Sequence, residues 1–193
     1  YPQVQVEIVL ADRNLDLIEE DLQLAVRIGP LPNSGLLMRK VGEVRRILVA
    51  APSYLANCPP LRRPADITAH ETIASVAANQ TLTWRFGGPR SGSAVVLTPR
   101  LIVNEVESVL IAARAGRGLA RVLSYQAADD LAAGTLVRLL PEFEPPPLPV
   151  QLVVPGGRQP APRVRAFIDH AVARLPELAP IGPGASAANP QSS

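Results

Sequence analysis

Strand-like and helix-like patterns alternate along this 193-residue chain, and that alternation predicts an α/β fold. Three observations carry the prediction. An early strand pattern, a short helical pattern and a second strand follow one another within the first 29 residues, the order of a βαβ unit. Short apolar runs closed by Gly or Pro recur further on. A strongly amphipathic helix pattern starts at Pro162. With 47% hydrophobic and 19% charged residues, the composition excludes a disordered polyelectrolyte, and no uncharged apolar run approaches the ~20 residues of a membrane span. At roughly 100–200 residues per domain, the chain holds one domain or two small ones.

Val4, Val6, Ile8 and Leu10 share one face of VQVEIVL and predict a strand over 4–10. Leu15, Ile18 and Leu22 then recur at helical spacing, with Asn14 placed to cap the first turn. LAVRIG at 24–29 is a second strand, ended by GPLPN; together these predict a parallel sheet with crossover helices. RILVAAP at 46–52 reads as a buried strand, with Pro52 opening a short helix around Tyr54. Trp84–Phe86 and SAVVL at 93–97 flank a Gly-rich turn and predict a hairpin. RLIVN at 100–104 leads into a helix whose stripe is Val106, Val109, Leu110 and Ala113, with Asn104 and Glu107 arranged like a capping box and Gly116 as the stop. LARVL at 119–123 is a strand, SYQAADDLAAG at 124–134 a capped helix, and LVRLL at 136–140 another strand. EFEPPPLP at 142–149 is extended and stiff, a connection between subdomains, and VQLVVP at 150–155 is again a strand. The last helix carries Val164, Phe167, Ile168, Ala171, Val172 and Leu175 on one face, and the small, polar stretch 181–193 has nothing to pack.

Net charge is +2, and Lys40 is the only lysine among 19 cations. The arginines are dispersed, so nothing reads as a DNA-binding arm or a membrane-binding patch. Cys58, His70 and His170 lack zinc-site spacing, and a lone cysteine forms no internal disulfide. GxSxG, HExxH, GxxxxGK[ST] and a strand-following GxGxxG are all absent, so neither an enzyme nor a cofactor or metal is expected. Gly116-Arg117-Gly118 follows a helix and precedes a strand, which suits a helix stop rather than a phosphate cradle. His70 reads as a helix-start residue, His170 as solvated, and Trp84 and Phe86 as hairpin packing.

The positive signal is geometric, since ligands of open α/β sheets bind where strands end and helices begin. Three such ends are legible: Asp12-Arg13-Asn14, Arg27 before Gly29, and Asn104-Glu105. Together they suit a small anionic or polar molecule.

Four segments in order resemble the C-terminal effector-sensing domain of LysR-type transcriptional regulators: residues 1–56, IVNEVESVLIAARAGRGLARVLSY at 102–125, LAAGTLVRLLPEF at 131–143 and PRVRAFIDH at 162–170. The resemblance spans residues 1–176 and departs at Gln23, where more acidic character is usual before LAVRIG. It implies a fold like the type 2 periplasmic binding proteins, with two α/β subdomains joined by two crossover strands and an effector cleft between them. The expected boundaries are 1–52 with 149–180 for one subdomain, lacking its first strand, and 53–148 for the other, with 181–193 a disordered tail. The start at Tyr1, without Met or leader, reads as a fragment or processed product whose winged helix-turn-helix domain lies upstream.

The resemblance further implies a small-molecule effector, a homodimer or tetramer, DNA bound only through that other domain, no membrane, and a cytoplasmic location. It places Asp12, Arg13, Asn14, Arg27, Ser75, Asn104 and Glu105 facing the cleft, and sets Val109 and its neighbours opposite the 4–10 strand of a second subunit. The rival reading is a stand-alone solute-binding protein of a transport system.

Overall fold

The computed structural model describes residues 5–11, 15–31, 36–75, 82–88, 92–156 and 160–175. Asp12, Arg13, Asn14 and the 181–193 tail lie outside the described residues. An apolar run such as RILVA, with no polar alternation after its first residue, must be covered on both faces. It forms β3 (Arg46–Ala50), whose last four residues are buried. Around it stand β8 (Leu119–Leu123) and β9 (Val137–Leu139), both antiparallel to it. Beyond β8 lie β4 (Thr72–Ser75) and then β7 (Leu101–Val103), and β4 is parallel to both of its neighbours. The sheet order is β7-β4-β8-β3-β9.

Each face of this sheet supports its own core. Ile47, Val49, Ile73, Ala120 and Val122 pack on one side with Val109, Leu110 and Ala113 from α2 (Val106–Arg114). Leu48, Ala50 and Leu119 pack on the other with Trp84 and Phe86 of the hairpin β5–β6 (Thr83–Phe86 and Ser93–Val96). Ile67, from a 3-10 segment over Pro64–Ala69, completes that second core. The other sheet is β1-β10-β2, formed by Ala25–Ile28, Leu148–Val154 and Leu37–Val44 and antiparallel throughout. α4 (Pro162–Arg174) belongs with it, its Val164 and Ala171 buried. Described separately, one unit holds residues 16–31, 36–44, 148–156 and 160–175, and the other 5–11, 15, 45–75, 82–88 and 92–147.

Several expectations change. Residues 5–11 form no strand, and Val6, Ile8, Val9 and Leu10 are exposed. Their alternation is strand-like, but a strand needs a ladder partner and none pairs with them among the described residues. The helix expected after Asn14 is a set of turns over 17–21, capped by Asp16, whose carboxylate accepts the N–H groups of Ile18 and Glu19. β1 pairs antiparallel with β10, so the early strands do not make the parallel βαβ unit; the parallel pairs lie in the five-stranded sheet. β2 was not legible, because Arg39, Lys40 and Glu43 interrupt its apolar pattern. β3 is an inner strand of the five-stranded sheet, so the compact unit that holds this sheet begins at Arg45.

Local chemistry differs at three further places. The N-cap of α2 is Glu105, with no side-chain cap bond, so Asn104 and Glu107 make no capping box; Glu107 pairs with Arg114 instead. Only 128–133 of the 124–134 segment is helical, as α3 (Ala128–Ala133), because Ser124 and Gln126 hold the preceding turn: Ser124 Oγ accepts the Arg45 N–H and Gln126 Oε1 the Leu123 N–H. His70 follows the 3-10 segment rather than starting a helix, and its Nδ1 lies 3.3 Å from the Tyr54 hydroxyl.

Gly118 has φ +139°, and a Cβ there would lie 2.4 Å from the Glu71 carbonyl oxygen, where β4 and β8 start side by side. Gly118→Ala is therefore expected to cost about 3 kcal/mol or more, strain and overlap together, read as a lowered urea midpoint. Asp130, nearly buried, takes a bidentate pair of hydrogen bonds from Arg114 at 2.8 and 2.9 Å and a third from Thr135 at 2.7 Å. The Arg114 guanidinium chiefly holds this carboxyl below the usual range, against burial and with help from Thr135. A depressed folded-state pKa means stability that is complete above the unfolded value of about 4 and is lost as pH falls through the folded one. Asp130→Asn should cost about 1.5–3 kcal/mol at neutral pH and flatten the acid limb of a urea-midpoint profile.

Candidate functional site

Parallel pairing brings the carboxyl ends of neighbouring strands together. Ser75, the last residue of β4, stands beside Val103, the last of β7, so Asn104 and Glu105 leave the sheet next to it. Ser75 is half-buried and engaged, while Asn104 and Glu105 are exposed. Glu105 opens α2, its carboxylate 3.4 Å from the Ser108 hydroxyl. No side chain caps this end, and its amides carry the partial positive charge of a helix N-terminus. β8 ends on the same side: Ser124 N–H donates to the Arg45 carbonyl at 2.8 Å while its hydroxyl accepts the Arg45 N–H at 3.1 Å. That reciprocal pair fixes the start of β3 to the end of β8.

Of the residues expected to face an effector, Ser75, Asn104 and Glu105 thus come together at one end of the five-stranded sheet. Arg27 lies in the other unit, half-buried in β1 opposite Gln151, whose side-chain amide donates to the Gly29 carbonyl at 2.9 Å. Asp12, Arg13 and Asn14 are outside the described residues.

A charged cluster that sequence reasoning missed stands on β3, β8 and β9. Glu144, its side chain almost buried, receives Arg138 in a bidentate pair at 2.6 and 2.5 Å, with Arg45 at 4.0 Å. Arg121 donates to the Arg85 carbonyl at 2.6 Å and lies 5.1 Å from the centre of the Phe86 ring, a cation–π distance. The available signal was Arg121 inside the apolar run LARVL, where a charge is costly unless it is used, with Arg46 at the exposed start of RILVA.

Val109 is buried against its own sheet, so it cannot face a second subunit; the exposed apolar residue of α2 is Ile111. Trp84 and Phe86 are core residues, as hairpin packing requires, and His170 is exposed. Among the described residues no three His, Cys, Asp or Glu side chains are grouped to hold a metal ion, and no helix is long and apolar enough to cross a membrane. The arrangement offers hydrogen-bonding groups and positive potential at a sheet end, which suits binding.

Comparisons with known proteins agree. The family model described as the LysR substrate binding domain matches residues 1–176. The HTH-type transcriptional regulator PtxR of Pseudomonas aeruginosa is 36% identical over 169 residues, covering 88% of this chain and 54% of PtxR. An HTH-type transcriptional regulator of Xanthomonas campestris is 30% identical over 179 residues, covering 91% of this chain and 52% of its own length. The chain therefore spans about half the length of these curated relatives. Among solved structures, the regulatory domain of AphB from Vibrio vulnificus, treated with cumene hydroperoxide, aligns with TM-score 0.74 and 27% identity over 90% of this chain and 86% of that one. These relatives are regulators, and none of them supports the transport reading.

Proposed function

Because the chain belongs to the LysR substrate-binding domain family, we propose that it is the effector-sensing part of a transcriptional regulator that grips DNA through a separate helix-turn-helix domain. One observation carries the reading: HTH-type regulators match it at 36% and 30% identity while it spans only about half their length. The dispersed arginines and near-balanced charge fit a part that leaves DNA to another domain. A small molecule would act by favouring one of two geometries, which requires that it bind one more tightly than the other. Ser75, Asn104 and Glu105 are proposed as effector contacts of their unit, and Arg27 is proposed separately as a contact carried by its own unit, with a cytoplasmic location and no catalytic step.

Arg27 is tested by screening carboxylated and phosphorylated metabolites for thermal stabilisation of the chain and following a hit by calorimetry. Arg27→Ala should weaken its binding tenfold or more, about 1.4 kcal/mol, with an unchanged circular dichroism spectrum. Equal affinity removes Arg27 from the site.

Self-association is also part of the proposal, and its surface is α2 together with edge strand β7. Leu101, Ile102 and Ile111 are exposed there at 37%, 48% and 58%, an apolar set beside a strand edge that no other strand pairs among the described residues. Ile111→Asp should shift the chain from dimer toward monomer by light scattering. A wild-type chain that is strictly monomeric at high concentration would defeat this surface.

A further inference from the structure

In the β3–β8 pair, Arg46 stands opposite Leu123 and Leu48 opposite Arg121. Residues 46 and 48 share one face of their strand, so Arg46 and Arg121 are diagonal neighbours on the same face of the sheet. Arg46 is exposed and Arg121 half-buried. The one hydrogen bond Arg121 makes among the described residues goes to a backbone carbonyl, and its other partner is the Phe86 ring. Neither supplies a negative charge.

The acid nearest in this cluster is already used. Both oxygens of Glu144 are held by Arg138, and Arg45 stands within 4.0 Å of one of them. Glu144 is thus taken by two guanidiniums, Arg138 and Arg45, and among the described residues no carboxylate lies within 4.0 Å of Arg46 or Arg121. The uncompensated charge is felt: burial first, and then the charge of Arg46, push Arg121 down to about 10, with Glu144 only partly opposing them. Two cations held side by side, with no ion-pair partner among the described residues, are poised for an incoming anion. A guanidinium presents paired N–H donors that match two oxygens of a carboxylate or phosphate.

We propose that Arg46 and Arg121 form an oxyanion-binding pair, taking the carboxylate or phosphate group of a small molecule. The proposal rests on the effector-sensing reading and narrows the effector to an anion. A purely structural role for Arg121, fastening the hairpin to the sheet through the Arg85 carbonyl and Phe86, predicts no response to anions and no part for Arg46.

The test uses the 193-residue chain with sodium acetate and sodium phosphate as probes, each against sodium chloride at matched ionic strength. Arginine Nε–Hε resonances are followed by NMR and melting temperature by thermal unfolding. Saturable shifts of the Arg46 and Arg121 signals with either probe are expected, and the probe that saturates identifies carboxylate or phosphate. Arg46→Gln, at an exposed position, should lower that affinity at least tenfold and raise the melting temperature in chloride, because it removes the like-charge neighbour. Linear shifts with both probes overturn the pair, as does an unchanged affinity in Arg46→Gln. A melting temperature lowered by Arg46→Gln, with the anion response intact, likewise overturns it in favour of a structural role. Failure of the regulatory reading would look different: anion binding at the pair would persist in this chain, while the protein carrying the DNA-binding domain would show no anion-dependent change in operator binding.

Discussion

Strand β3 is enclosed on both faces, and each face is the floor of a different core. Ile47 and Val49 meet α2 while Leu48 and Ala50 meet the hairpin and the 3-10 segment, so one five-residue run is shared by two otherwise separate packing problems. Its ladder partners follow from this. A strand buried on both faces must also have both edges satisfied, and β8 and β9 supply them in antiparallel register. The Ser124–Arg45 bonds at its entry then set where β8 must end, and the parallel β4–β8 and β4–β7 pairs carry that placement to Ser75 and Asn104. The geometry of the candidate site is thus inherited from a strand whose last four residues are buried.

Elements whose own residues define a face were legible without coordinates. The Val109, Leu110 and Ala113 stripe, the RILVA and LARVL runs and the Gly-closed ends are local signals, and the structure uses them locally. What depended on distant partners was not legible. Residues 5–10 carry a strand's alternation without a ladder partner among the described residues, and β2 forms despite a charged sequence because β10 supplies a ladder along its length. Glu105 rather than Asn104 precedes the first helical turn because β7 hands its chain directly to α2, a matter of path rather than propensity. At the site, the strand ends were legible from order alone. The arginine cluster was not, because Arg46 and Arg121 become neighbours only through a register between segments 75 residues apart.

Two kinds of arginine serve this fold differently. Arg114 and Arg138 are consumed in bidentate pairs with Asp130 and Glu144, which keeps two largely buried carboxylates satisfied. Arg121 is held by a carbonyl and a ring face, partners that orient a guanidinium without neutralising it. The dispersal of arginine along the sequence therefore conceals a division between neutralised and surplus charge that only folding creates.

The Arg114 network has a mechanical consequence. Asp130 grips the last turn of α2, and its backbone carbonyl accepts the N–H groups of Thr135 and Leu136 at the entrance to β9. The first turn of that same helix stands beside Asn104, at one edge of the sheet, and β9 is the opposite edge. Helix α2 is only nine residues long, too short to absorb a tilt by bending. A displacement imposed at the Asn104 end is therefore levered across the sheet to β9 unless two charge-assisted hydrogen bonds break, so the helix behaves as a stiff rod pinned at its far end.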